Sequence, residues 1–196
     1  MTSITCAESR YYCLQHDWYM GLRNVLRIGH PALRTCAAEI PDDWFGSQRL
    51  QQLIDDLFDT KLACSGAGLA APQIDEPWRI FVVGMGHNPR YPDADPLPDR
   101  ALINPVIKSI GDELSAGWEG CLSVPGLRGE VERWQRIHLK WQDREGAFHT
   151  EELQDFHARV VQHETDHLDG VLFPDRLTSS LAFGFMDELQ AHGRIP

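Results

Sequence analysis

Phe156, Val160, His163 and His167 recur every three or four residues, the interval that places side chains on one face of an α-helix. The stripe begins apolar and ends in two imidazoles, so a fold that buries the first pair also carries both rings toward its core. An unpartnered polar ring there is costly, and a bound metal ion satisfies both at once. This segment therefore calls for a fold that lays a helix against an apolar surface with further donors close by. The helix is predicted to begin at Thr150 or Glu151, to carry Leu153 on the same stripe, and to end near Gly170, with Pro174 beyond it.

Within that stripe, His163-Glu164-Thr165-Asp166-His167 is an HExxH pattern. The two histidines at i and i+4 can bind one ion, and the intervening Glu164 stands beside that face, where it can take a proton from water. The bland alternative is a solvated helix with two ordinary histidines, and the apolar approach through Phe156 and Val160 speaks against it. Catalytic metal sites usually present three protein ligands, so a third must come from elsewhere. In the longer pattern HExxHxxGxxH the glycine is present as Gly170, but Phe173 occupies the last position and cannot ligate. Two candidates remain: Glu188 on a later helix, and Cys121 in Glu119-Gly120-Cys121-Leu122-Ser123, where Gly120, Pro125 and Gly126 suggest a tight bend. Taken alone, Cys121 reads more simply as a buried, inert cysteine.

A third constellation, Gly66-Ala67-Gly68-Leu69-Ala70-Ala71-Pro72-Gln73, follows a predicted helix. It lacks the Lys-Ser or Lys-Thr of a phosphate loop, and a dinucleotide fingerprint would follow a strand. Its glycines permit close approach of backbone to a ligand, and Gln73 offers an amide donor for a developing oxyanion. By itself it reads more simply as a small-residue packing turn.

Composition limits the rest. A chain of 196 residues, 42% hydrophobic and 24% charged, suits one soluble domain. With 18 Lys and Arg against 29 Asp and Glu, a net charge of -11 disfavours gripping a nucleic-acid backbone. Five cysteines without repeated spacing argue for a reducing compartment, and no apolar run approaches the ~20 residues of a membrane span. Residues 1–19 show no regular period and lack the plan of a secretory signal, so they read as an N-terminal extension ahead of a single catalytic domain over 20–196.

Coarse periodicity predicts a helix from Ser47 to a stop at Gly66, a buried strand over Arg79 to Val83, and a loop from His87 to Arg100, which holds four prolines. A second strand is expected over Ala101 to Ile110. Alternation from Val131 to Trp141 suggests one half-buried strand, turned at Asp143 to Gly146, and Leu181 to Leu189 a closing helix. Strands grouped before a central helix, without βαβ alternation, indicate an α+β fold.

Together the segments 66–73, 119–123 and 162–167 (Gln162 preceding the HExxH) resemble the three signature motifs of peptide deformylase, in that family's order, with Arg27-Ile28-Gly29-His30-Pro31, Asn104-Pro105 and Asp169-Gly170 also matching. The resemblance implies antiparallel strands packed around a central metal-binding helix, and removal of the N-formyl group from the initiator methionine of nascent polypeptides, releasing formate. It implies Cys121, His163 and His167 as metal ligands, Glu164 as general base and then acid, and Gln73 with the Leu122 backbone N–H as oxyanion clamp. Gly68 and Gly120 would pair with the extended substrate, and Phe156 and Val160 would line the methionine pocket. Ferrous iron is the implied ion, replaceable by zinc, nickel or cobalt. The implied partners are N-formylmethionyl nascent peptides and a transient contact with the ribosome, with neither nucleic acid nor membrane bound. Arg133 is placed to pair with Glu119. Arg159 stands where many bacterial members carry an aliphatic residue, and the phrase from Ala158 to His163 resembles organellar members. The expected compartment is thus a bacterial cytoplasm or, alternatively, an organelle matrix.

Overall fold

A computed structural model describes residues 21–86 and 95–195; the expected extension at 1–19 lies outside them. The mixed helix and antiparallel-sheet architecture agrees with the α+β expectation. Helix α1 (Gln48–Ala63) starts where Ser47 Oγ accepts from the Leu50 N–H at 3.2 Å. Its end is a Schellman turn, with Ser65 N bonded to Leu62 O and Gly66 N to Lys61 O. The left-handed residue is Ser65 (φ 52°), one position before the stop expected at Gly66.

Strands β1 (Gly68–Ala70), β2 (Ile80–Met85), β3 (Leu97–Ser109), β6 (Arg136–Gln142) and β7 (Phe148–Gln154) form one antiparallel sheet in the order β1-β2-β3-β6-β7. Strands β4 (Leu114–Cys121), β5 (Val124–Trp134) and β8 (Phe183–Phe185) form a second. β2 reads as an unbroken apolar run because both of its faces are covered. Ile80 and Val82 pack with Leu50, Leu53 and Leu57 of α1, whereas Phe81 and Val83 pack with Ala158 and Val161 of helix α2 (Asp155–Leu168). A short helix α3 (Met186–Ala191) closes the chain. Among the described residues no helix is long and apolar enough to cross a membrane.

Four boundaries depart from expectation. β3 begins at Leu97, inside the proline-rich stretch assigned to a loop. Pro98 is tolerated because the register shifts between Val83 and Met85, so its missing N–H falls at a bulge. Residues 150–154 belong to β7, where Leu153 sits opposite Ile137, and α2 starts only at Asp155. The alternation from Val131 to Trp141 spans two strands: β5 stays in the smaller sheet and β6 crosses to the larger one past Gln135. The closing helix is shorter than expected, because residues 183–185 pair with β5.

The edge strands of the two sheets, β1 and β4, face each other across a cleft, and α2 runs beneath it, packed against both sheets. An earlier segment ties the cleft together. Leu26 N donates to Gln73 O and Ile28 N to Ser123 O, each at 2.8 Å.

Candidate metal centre

Cys121 ends β4 at a two-residue turn into β5, which aims its sulfur at α2. The Cys121 sulfur and one ring nitrogen each of His163 and His167 lie within 4.8 Å of one another, and Sγ stands 3.2 Å from His167 Nε2. Donors around a single tetrahedral ion stand about 3.3–3.6 Å apart, so small shifts bring these three onto one. A thiolate and two imidazoles suit a borderline-soft divalent metal. Glu188, the other candidate ligand, is exposed on α3 beside His192 and takes no part in this cluster.

Glu119 is legible in the sequence as a partner of Arg133; its contacts with His163 and Arg159 are not. Arg133 Nε and Nη2 donate to its two oxygens, each at 2.9 Å, and Glu119 Oε2 also faces His163 Nδ1 at 2.8 Å. That contact orients the imidazole so that Nε2 is left for the cluster. Arg133 Nη1 further donates to Asp166 Oδ2 at 2.5 Å, and Arg176 donates twice to the same carboxylate. Burial alone would raise the Glu119 pKa, but His163 and Arg133 outweigh it and hold the carboxyl well below its usual range. Burial likewise opposes charge on His163, and there the Cys121 sulfur and Glu119 prevail and raise it. His167 is lowered by burial and by its neighbour His163.

Glu164 is buried, and its Oε2 has no hydrogen-bond partner among the described residues. Burial pushes its carboxyl up to about 7, the range in which a carboxylate can both take and return a proton. Its other oxygen packs on Gly68, where a Cβ would lie 2.4 Å from Oε1. Gln73 is buried, with Oε1 accepting from Ala70 N at 2.8 Å; Nε2 donates to Ser123 Oγ at 3.1 Å and, more weakly, to Cys121 Sγ at 3.5 Å. No sequence signal marks Ser123, whose hydroxyl meets Gln73 only through the fold.

The cleft over these groups is lined by Gly68, Gln73, Gly120, Leu122, Phe156, Val160 and Glu164, so the catalytic and substrate-binding candidates from the sequence meet at one place. Trp118 and Arg159 join them. A larger groove, about 790 Å³, lies away from the cluster between α1 and the β6–β7 hairpin. Its charges are matched internally, Arg144 with Asp55, Arg100 with Glu151 and His149 with Asp143, so no convergent donor set points to a ligand.

A thiolate–imidazole cluster with a buried, elevated carboxylate beside it, at the foot of an open cleft, defines a metal-dependent hydrolase. Comparison narrows the class: the family model for polypeptide deformylase matches residues 22–182, and the chain belongs to that family. It is 52% identical over 177 residues to peptide deformylase 1 of Prochlorococcus marinus, spanning 90% of this chain and 91% of that protein. The Met-Ala-Ser-bound crystal structure of a class I type b peptide deformylase from Acinetobacter baumannii superposes with a TM-score of 0.79 at 38% identity, covering 81% of this chain and 100% of that one. A peptide deformylase from Synechococcus elongatus in complex with actinonin gives 0.73 at 30% identity, over 91% and 90%.

Proposed function

We propose that this chain removes the formyl group from N-formylmethionyl peptides, with Cys121, His163 and His167 as the ligands of one divalent ion. The carrying observation is the meeting of those three donors with Glu164 and Gln73 beneath a cleft bounded by two strand edges. When bound, the ion supplies Lewis acidity and lowers the pKa of water in the site. Glu164 takes the proton at its carboxylate and returns it to the leaving amine, which an elevated carboxyl buried against Gly68 is suited to do. The Gln73 N–H now spent weakly on sulfur and the Leu122 backbone N–H hold the oxygen on which charge develops.

An extended peptide lies between β1 and β4, its main chain pairing at Gly68 and Gly120, a mode that tolerates many sequences. Phe156 and Val160 wall the pocket for the methionine side chain. The Acinetobacter baumannii relative holds Met-Ala-Ser, a peptide of the kind that deformylation would leave.

The ion in the cell is ferrous iron on this reading, as the family resemblance implies; one thiolate and two imidazoles also accept nickel, cobalt or zinc and do not choose among them. Residues 20–196 act as one catalytic domain, which the reach of the family match supports. The compartment is a bacterial cytoplasm, in keeping with bacterial relatives, and contact with the ribosome is transient.

Protein prepared without oxygen and incubated with formyl-Met-Ala-Ser tests this directly. Formate should appear in step with free amine. A sample holding one ion per chain that releases no formate overturns the reading.

A further inference from the structure

Arg159 reaches four acceptors from one turn ahead of His163. Its Nη1 donates to Glu119 Oε1 at 2.9 Å and to the carbonyls of Val131 and Gly117 at 3.0 and 3.4 Å; its Nη2 donates to the Ser115 carbonyl at 2.6 Å. The side chain is only 14% exposed. Strand and helix are shaped around it, because a Cβ at Gly117 would stand 2.9 Å from the Arg159 guanidinium carbon.

Arg133 and Arg159 both hold Glu119, yet they do different mechanical work. Arg133 belongs to β5, holds Glu119 within one sheet, and reaches α2 at the Asp166 side chain, a carboxylate it shares with Arg176. Arg159 belongs to α2, the helix bearing both imidazoles, and its four acceptors lie on β4 and β5. Cys121 sits at the end of β4. The guanidinium is thus a direct polar tie between the element that carries the thiolate and the element that carries the imidazoles.

We infer that Arg159 is a positioning residue, setting the spacing between Cys121 and the His163–His167 pair and hence how firmly the ion is held; this rests on those three residues being the ligands. Partners that orient metal ligands typically change metal affinity by about 10- to 100-fold, and Arg159 acts on His163 through Glu119 as well as on the strand that ends in Cys121. Arg159→Met keeps the length of the stem and removes all four bonds. Arg159→Lys keeps the charge, but a single ammonium cannot serve acceptors spread over two strands as a planar fork does.

The proteins are loaded with cobalt, and ion release to a chelator is followed by loss of the thiolate-to-cobalt absorption, alongside thermal unfolding of the metal-free forms. We expect Arg159→Met to release cobalt about 10- to 100-fold faster and Arg159→Lys to fall between it and the parent, with the absorption band displaced in both while the metal-free proteins stay folded at the assay temperature. Release within twofold of the parent in Arg159→Met overturns the proposal. If that variant does not fold, the same result in Arg159→Lys overturns it. Faster release with an unmoved band would also overturn it, since the ligands would then be correctly spaced. A parent protein that binds no cobalt at Cys121 removes the underlying ligand assignment instead, and the missing absorption band identifies that case.

Discussion

Glu164 Oε1 lies where a side chain on Gly68 would begin: a Cβ there would be 2.4 Å from that oxygen and 2.7 Å from the carboxyl carbon. β1 and α2 are therefore fitted to each other at the carboxylate, and an added methyl must displace it. Gly68→Ala should keep its ion while kcat falls about tenfold or more, since small displacements of a reacting group are costly. Steady-state kinetics at measured metal content checks this, and an unchanged kcat would show that the carboxylate has room to move.

Removing the carboxylate itself separates proton handling from metal binding. Glu164→Ala should hold one ion per chain and lose about 100- to 10,000-fold in turnover. Metal analysis beside the formate assay tests it. Loss of the ion would instead make Glu164 a ligand.

The two sequence candidates for the third ligand predict opposite outcomes. Cys121→Ala should abolish tight metal retention through dialysis, and Glu188→Ala should leave it intact, as the exposed position of Glu188 on α3 implies. Equal retention in the two variants would refute the cluster.

Much of this site is legible in the chain because its key spacings are local. His163 and His167 share a helical face whatever the tertiary fold, and with the apolar approach through Phe156 and Val160 that spacing predicts a buried donor pair. The same helix starts later than its periodicity predicts because Phe148 to Gln154, mostly polar, looks like a strand only once paired with β6. The Glu119–His163 contact and the reach of Arg159 across two strands join segments far apart in sequence, and no local pattern announces them. Pro98 misled for a related reason, since a proline inside a strand is harmless only where a bulge receives it, and the bulge belongs to the pairing with β2.

Arg133 stands between two buried carboxylates, 2.9 Å from Glu119 and 2.5 Å from Asp166. Arg133→Met should lower stability by about 3 kcal/mol, because charges remain buried with fewer partners. Adding Glu119→Gln should recover part of that loss. Denaturant titrations of the metal-free proteins would decide, and a single-variant loss under about 1 kcal/mol would mean that Arg159 and Arg176 compensate fully.

Iron in this centre should be lost in air. An ion reachable by substrate is also reachable by oxygen and peroxide, and so is the Cys121 sulfur beside it. Activity of the iron form should decay in air and be protected by reductant or catalase, while a nickel-loaded sample persists. Equal decay at matched occupancy would show that the cleft shields the centre.

The bonds from Leu26 to Gln73 and from Ile28 to Ser123 have a consequence for the birth of the molecule. They clasp together two motifs that leave the ribosome at very different times, and the histidines emerge later still. Contacts of such long sequence separation form slowly. A chain released too early, or cut after β5, would hold a finished α1 and much of the larger sheet's first strands yet possess no centre at all. Competence is all-or-none in synthesis: the protein gains its chemistry only when its last third has docked onto its middle.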